Sequence, residues 1–307
     1  GRIVQAAEKL AAEVGDPVVV AFARSARGIC ELQWGDFTAA IESCDKAIAA
    51  FREHGAGVVW EERTADVFGI WGLAWRGDWG EVARRCDALA RAGEATGDRY
   101  AIMHAAIGVA VCGPLALDRP QLARDRIAKV MTGWPRDSYD LIQVRELVGI
   151  TTVDLYEGNG AAALKLINEH WPRLEKSRML SLEPLFGTLV DLRVRAALVA
   201  GEWSEAKSWA KKLERIPWGA GVAAATRAAL AQHNGDRSTA ARELEHAETL
   251  ARERGIELHS AAIAERRSRV LEGNDAILAR DRAASITKAK EIQNPERTFR
   301  ALVPWPT

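Results

Sequence analysis

Residues 32–51 read LQWGDFTAAIESCDKAIAAF, and this stretch predicts two antiparallel helices joined by a tight turn. Gly35 relieves the strain of a left-handed backbone between the helices, and Asp36 is placed to cap the second helix. Ala40 and Ala47 lie seven positions apart on that helix, where small side chains let neighbouring helices approach closely. The stretch therefore predicts a helical hairpin.

The same plan recurs along the chain. The turn positions are 35, 77, 118, 158, 201, 235 and 273, at intervals of 42, 41, 40, 43, 34 and 38 residues, with Asp118 in place of glycine. Five positions after each turn stands a residue expected to pack between helices: Ala40, Val82, Ala123, Ala163, Ala206, Ala240 and Leu278. Repeated hairpins of this length predict an all-α solenoid in which each helix pair packs mainly on its neighbours.

This pattern resembles the tetratricopeptide repeat, whose second helix begins with Gly-Asp-aromatic and carries small residues at the same two places. Residues 35–48 match it best. Most intervals exceed the usual repeat length of about 34 residues, which predicts longer helices. Long repeats of this kind resemble the arrays attached to bacterial signalling ATPases and Ser/Thr kinases. The resemblance implies a right-handed superhelix of about seven antiparallel helix pairs, covering residues 15–291.

We predict three parts: residues 1–14 as the trailing helix of a preceding repeat, residues 15–291 as the repeat array, and residues 292–307 as a capping tail. The chain lacks an initiator Met and opens within a helical pattern, which indicates a piece of a longer protein. The tail, with its three prolines, is expected to lie on the final helix. The predicted helix pairs are 17–33 with 36–54, 58–75 with 78–96, 99–113 with 119–132, 138–157 with 160–176, 181–200 with 203–215, 219–233 with 236–254, and 257–272 with 275–290.

Composition excludes several classes of function. The 307 residues include 42 basic and 42 acidic side chains, so the chain lacks the broad cationic field of nucleic-acid binders. Its four cysteines include no C-x-x-C pair and form no disulfide framework, which favours a cytoplasmic protein. No apolar run is long enough to span a membrane, and no secretion signal opens the chain.

The common catalytic signatures are also absent. The sequence holds no G-x-x-x-x-G-K-[ST], H-E-x-x-H or G-x-S-x-G, which are typical of nucleotide hydrolysis, zinc proteolysis and serine hydrolysis. Six histidines are scattered without metal-ligand spacing. We therefore predict no catalytic residue, no cofactor and no metal in this chain. Cys44 and Cys86, each nine residues after a turn glycine, are predicted to be small core residues.

A candidate partner-binding surface follows from the resemblance. Trp71 falls where the first helices of tetratricopeptide repeats line the concave face, and tryptophan is enriched at binding hot spots, although core packing is the alternative. The same register places five further residues on that face: Arg145, Asp191, Arg195, His233 and Arg267. Basic residues there would clamp a carboxylate, a phosphorylated segment or an acidic segment of a peptide. A solvated charged face is the other interpretation.

The leading hypothesis is a non-catalytic module that binds a peptide or protein segment and serves as the sensor or regulatory arm of a larger bacterial signalling protein. One rival is a small-molecule sensor that encloses its ligand in a Trp-rich concave pocket. Another is a self-associating scaffold. A hydrolase of the α/α-toroid class would need paired carboxylates in a closed barrel, and the open run of turn glycines argues against closure.

Overall fold

The computed structural model describes residues 2–137 and 139–306. Within them the chain forms seventeen α-helices and two 3-10 turns, Gly108–Val111 and Met179–Ser181, and no β-strand. The helices are α1 (Arg2–Val14), α2 (Pro17–Trp34), α3 (Phe37–His54), α4 (Val59–Arg76), α5 (Trp79–Thr96), α6 (Arg99–His104), α7 (Cys112–Ala116), α8 (Pro120–Met131), α9 (Leu141–Glu157), α10 (Gly160–Lys176), α11 (Glu183–Ala200), α12 (Trp203–Leu213), α13 (Ala220–His233), α14 (Arg237–Glu253), α15 (Glu257–Val270), α16 (Gly273–Ala289) and α17 (Pro295–Leu302). Consecutive helices pack on one another, so the fold is the all-α solenoid that the repeats predict.

The first hairpin turn forms as its sequence predicts. Gly35 adopts the left-handed conformation with φ 76°, and its N–H donates to the Leu32 carbonyl at 3.2 Å. The N–H of Asp36 donates to the Glu31 carbonyl at 2.9 Å, while its carboxylate accepts from the Ala39 N–H at 3.1 Å. The end of α2 and the start of α3 are therefore both satisfied by local hydrogen bonds.

Two of the seven turns depart from this plan. Asp118 adopts a left-handed φ of 52° without being glycine. At the last turn, α16 begins at Gly273, directly after Leu271 and Glu272, which are both extended. This changes which side of α16 faces inward, so Leu278 is 65% exposed, whereas the six other residues at that repeat position are buried.

The predicted helix 99–113 is interrupted. Helix α6 ends at His104, and α7 begins only at Cys112. Gly108, between them, has a φ of +66°, which a right-handed helix does not allow. A Cβ at Gly108 would lie 3.1 Å from Nε of Arg145, so the break also gives that side chain of α9 its space.

The solenoid closes on itself, because its first two hairpin turns lie against its last helix pairs. A Cβ at Gly35 would lie 2.7 Å from Cβ of Trp218, and a Cβ at Gly77 would lie 2.7 Å from Cγ of Leu258. Glycine therefore suits these two turns for two reasons: it adopts the left-handed backbone conformation, and it leaves room for the close approach of the later helix pairs. The interpretation that the run of turn glycines means an open array is wrong.

Polar contacts support the same closure. Nζ of Lys290 lies 2.6 Å from the Asp78 carboxylate, and Nη1 of Arg254 donates to the Trp34 carbonyl at 3.1 Å. One hydrophobic core runs through the closed array, from Leu32 in α2 to Val303 after α17. Closure depends on packing between distant segments, which turn spacing alone does not report.

Candidate binding site

The C-terminal segment, residues 292–306, lies within the closed solenoid and is called the tail below. Its helix α17 packs against α9 and α15 rather than along α16, where the sequence led us to expect it. The Gln293 N–H donates to the Ala116 carbonyl at 2.9 Å, and Asn294 Nδ2 donates to the Asp118 carboxylate at 3.0 Å. The apolar tail residues therefore reach a buried surface instead of an exposed helix.

The inner face is the set of side chains of α4, α9, α11 and α15 around the tail, and two of its arginines bind the tail backbone. Nη1 of Arg195 donates to the Ala301 carbonyl at 2.9 Å, and Nε of Arg266 donates to the Val303 carbonyl at 2.9 Å. Both arginines are buried. They satisfy the carbonyls at and beyond the end of α17, which have no partner further along that helix. Every residue type has the same backbone carbonyl, so these two hydrogen bonds do not depend on the amino-acid sequence of the bound segment.

Arg195 is held by an ion pair on its own helix. Its Nη2 donates to the carboxylate of Asp191, four residues earlier in α11, and both side chains are buried. Burial raises the pKa of Asp191, and the charge of Arg195 opposes that rise. The ion pair fixes the guanidinium that reaches the tail.

Side chains of the tail add apolar contact and one further anchor. Phe299, Leu302 and Val303 are buried in the core. Nη2 of Arg300 donates to the Tyr156 carbonyl at 3.0 Å, at the end of α9. The tail is thus bound both through its backbone carbonyls and through apolar side chains in and just after the last turn of α17, as a short helical segment is bound in a groove.

Four of the six predicted site residues lie inside the closed array and are buried: Trp71, Arg145, Asp191 and Arg195. Trp71 is one helical turn before Trp75, and Arg145 is one turn before Val148. Trp75 and Val148 both border the space beside Leu302 of the tail. The repeat register therefore locates the inner sides of α4, α9 and α11.

The other two predicted residues lie elsewhere. His233 is exposed at the end of α13, where its ring stacks on Trp203 with centroids 4.0 Å apart. Arg267 pairs with Glu248 of α14 at 2.5 Å, and the inward arginine of α15 is its neighbour, Arg266. Successive residues of a helix are about 100° apart, so a register error of one residue moves the side chain off the face.

Arg145 is a buried cation without a counter-charge. Its guanidinium carbon lies 5.7 Å from the centroid of the Trp71 ring, and its Nε has no hydrogen-bond partner. No aspartate or glutamate of the described chain contributes to its pKa, which burial lowers to about 10. His104 is buried nearby with both ring nitrogens unpaired, and burial together with Arg145 lowers its pKa to about 2. This part of the inner face is electropositive.

An aromatic cluster joins the two ends of the closed array. The ring centroids of Trp75 and Trp218 are 4.1 Å apart, and those of Trp75 and His259 are 5.6 Å apart in a stacked arrangement. His259 is 6% exposed, and neither of its ring nitrogens has a hydrogen-bond partner. Burial, with a contribution from Arg195, lowers its pKa to about 3, so its ring is neutral at pH 7.

Sequence reasoning missed Arg266 and His259. The signal was present, because His259, Ile263 and Arg266 lie four and three residues apart on α15 and therefore share one helix face. Ile263 lies between His259 and Arg266 on that face, and its apolar side chain indicates that the two polar residues beside it are buried as well. Arg266 and Arg267 are adjacent, and a repeat register that is uncertain by one residue cannot decide which of the two arginines points inward.

Residues 2–137 and 139–306 contain no group of three or more His, Cys, Asp or Glu side chains that could hold a metal ion. Cys44 and Cys86 are core residues, as predicted, and burial raises the pKa of each thiol to about 12. Across the same residues, every helix is too short or too polar to cross a lipid bilayer.

The arginine contacts to the tail, the unpaired Arg145 and the aromatic cluster make up the candidate site. Each of them rests on side chains from at least two distant parts of the chain. Scans against protein-family models and against curated proteins find no match to this chain.

Proposed function

We propose that the inner face is a binding site for a short protein segment that ends a helix, and that residues 299–304 of the tail, the last turn of α17 and the two residues after it, are its resident occupant. The observation that carries the proposal is the pair of hydrogen bonds from Arg195 and Arg266 to the Ala301 and Val303 carbonyls, each 2.9 Å long. Main-chain recognition of this kind gives affinity to any segment of suitable shape.

The tail indicates which class of segment fits. Phe299, Leu302 and Val303 are buried, so apolar side chains are accommodated beside the bound carbonyls. Pro304 has no N–H and leaves no unpaired donor in this setting. The unpaired charge of Arg145 favours a partner that also carries an acidic group, because a carboxylate there would gain a charge-assisted hydrogen bond.

We also propose that the repeats are of the long tetratricopeptide type and that the array is the sensor or regulatory arm of a larger bacterial signalling protein. The Gly-Asp turn at residues 35–36 and the near-regular turn spacing support the repeat type. In such a protein, a partner segment that replaces the tail would release residues 292–306. Release of the tail would then change what an attached kinase or ATPase contacts.

The test uses the full chain and a fluorescent peptide of sequence FRALVPWP, residues 299–306. Leu302→Ser weakens the seated tail, so this variant is expected to bind the peptide at least tenfold more tightly than the unaltered chain in an anisotropy titration. Adding Arg266→Met should reverse that gain, because the peptide then loses a donor. Arg242→Met, on the exposed side of α14, is the matched control and should change nothing. Failure of the Leu302→Ser variant to bind the peptide would refute the proposal.

A further inference from the structure

Two adjoining cavities lie beneath the tail. One, of about 100 Å³, is lined by α11, α13, α14, α15 and residues 302–304, and the other, of about 50 Å³, is lined mainly by α4, α9 and α11. Arg195, His259 and Leu302 border both. A cavity of about 150 Å³ is enough to admit benzene in another protein, so two neighbouring cavities of this total size, which share three lining residues, suit a small ring compound.

The walls are suited to a flat apolar ligand. Trp218 borders the larger cavity and Trp75 the smaller one, and the two rings are in contact. The hydroxyl of Thr226, which also lines the larger cavity, already donates to the Val222 carbonyl of its own helix at 2.9 Å. Aromatic walls of this kind favour stacked or edge-on contact with another ring.

Two buried polar side chains at the junction have unpaired atoms. Nδ1 and Nε2 of His259 and Nε of Arg195 have no hydrogen-bond partner in the described part of the chain. A neutral imidazole offers one donor and one acceptor, and the guanidinium Nε–H offers a donor. Buried polar groups are rarely left unpaired, since an unpaired group loses its hydrogen bonds to water without replacement, so these atoms indicate a ligand with complementary groups.

Charge at the site favours a neutral ligand. Arg195 is already paired with Asp191, and the ring of His259 is uncharged at neutral pH. Glu253 and Arg254, at the C-terminal end of α14, line the larger cavity but are exposed. They therefore lie at the opening of the cavity and not in its interior. An ion entering the interior would lose its hydration without gaining an uncompensated counter-charge.

We propose that this space is a binding site for a small, neutral, flat heteroaromatic compound that carries one N–H donor and one adjacent acceptor. His259 and Arg195 bind the polar edge of the compound, and Trp75 and Trp218 contact its ring. Leu302 of the tail forms one wall, so a bound ligand also holds the tail against the inner face. The proposal does not depend on peptide binding, since the tail is part of the site.

The test is isothermal titration calorimetry of the full chain at pH 7.5 with two compounds of nearly the same shape. Indazole has adjacent N–H and N atoms, whereas indene has neither. The unaltered chain should bind indazole at least tenfold more tightly than indene. In His259→Phe, which keeps an aromatic ring against Trp75, the affinity for indazole should fall at least tenfold and that for indene should change less than twofold.

A second variant tests the location. Ala225 is a buried lining residue, and Ala225→Leu fills the larger cavity while leaving His259 and Arg195 in place. Binding of both compounds should then be lost, with a thermal melt to confirm that the variant is folded. The proposal is overturned if the unaltered chain does not bind indazole, if His259→Phe binds indazole as well as the unaltered chain does, or if folded Ala225→Leu retains binding.

Discussion

Replacing Gly77 with alanine is expected to destabilise the chain more than the same change at Gly201. The two glycines occupy the same place in their repeats, because each ends a helix in the left-handed conformation, with φ of 96° and 79° respectively. They differ in what surrounds them. The comparison therefore isolates the contact that closes the solenoid from the conformational cost that both substitutions share.

The shared cost is that of a left-handed alanine, about 1–2 kcal/mol. At Gly77 the added Cβ would also lie 2.7 Å from Cγ and 2.9 Å from the backbone N of Leu258, whereas at Gly201 no atom lies within 4 Å. A backbone atom cannot move aside as a flexible side chain does. Forcing a methyl group into a packed contact of this kind adds about 1–3 kcal/mol.

The assay is urea unfolding of both variants, followed by far-UV circular dichroism. With a denaturant slope of roughly 3 kcal/mol per M, the midpoint of Gly77→Ala should be about 0.3–1 M below that of Gly201→Ala. Gly35 and Gly235 provide a second matched pair, since a Cβ at Gly35 would lie 2.7 Å from Trp218 and one at Gly235 meets nothing within 4 Å. Equal midpoints within both pairs would refute the closed arrangement.

Three further predictions concern buried charge and the tail. Arg145→Met should stabilise the chain by about 1–2 kcal/mol in urea unfolding, because it removes a buried cation without a counter-charge; a loss of stability would show that the cation has a partner. Because the folded-state pKa values of His104 and His259 lie far below the unfolded value of 6.5, the stability they confer should be complete well above pH 6.5 and should fall as the pH decreases, by about 2–3 kcal/mol per histidine at pH 4.5. His259→Phe should halve that pH dependence, and an unchanged pH profile would contradict the assignment. Asp118→Ala removes an acceptor for the tail and should speed amide exchange in α17, while exchange in α3 stays unchanged; equal exchange in α17 before and after the change would count against this anchor.

Local signals explain why the helices could be predicted so well. A glycine at a helix end, followed by a capping residue, acts within a few residues, and this is why the limits of α3 and α10 fall within two residues of the prediction. The broken helix 99–113 shows the limit of that reasoning. A single glycine is tolerated inside a helix, so the local sequence does not signal the left-handed φ of Gly108 or its close approach to the Arg145 side chain of α9.

The candidate site was predictable only in part, for a related reason. The register taken from the tetratricopeptide resemblance identifies an inward side, so Trp71, Arg145, Asp191 and Arg195 fell within the array. It does not identify what that side contacts, because the tail is more than 100 residues from Arg195 along the chain. The choice between Arg266 and Arg267 required a precise register, which irregular repeat lengths do not supply.

Closure of the solenoid has a consequence for how the chain folds. An open repeat array forms through contacts between neighbours, but here Arg254 bonds Trp34 across 220 residues and Lys290 bonds Asp78 across 212. Contacts of such long range add loop-closure entropy and slow the final step of folding. On the ribosome, the first hairpins can form as soon as they emerge, while their aromatic surface stays open to water until residues 258–303 are synthesised. The nascent chain therefore passes through a stage that exposes Trp75, and this is the stage at which it is most open to chaperones and to aggregation.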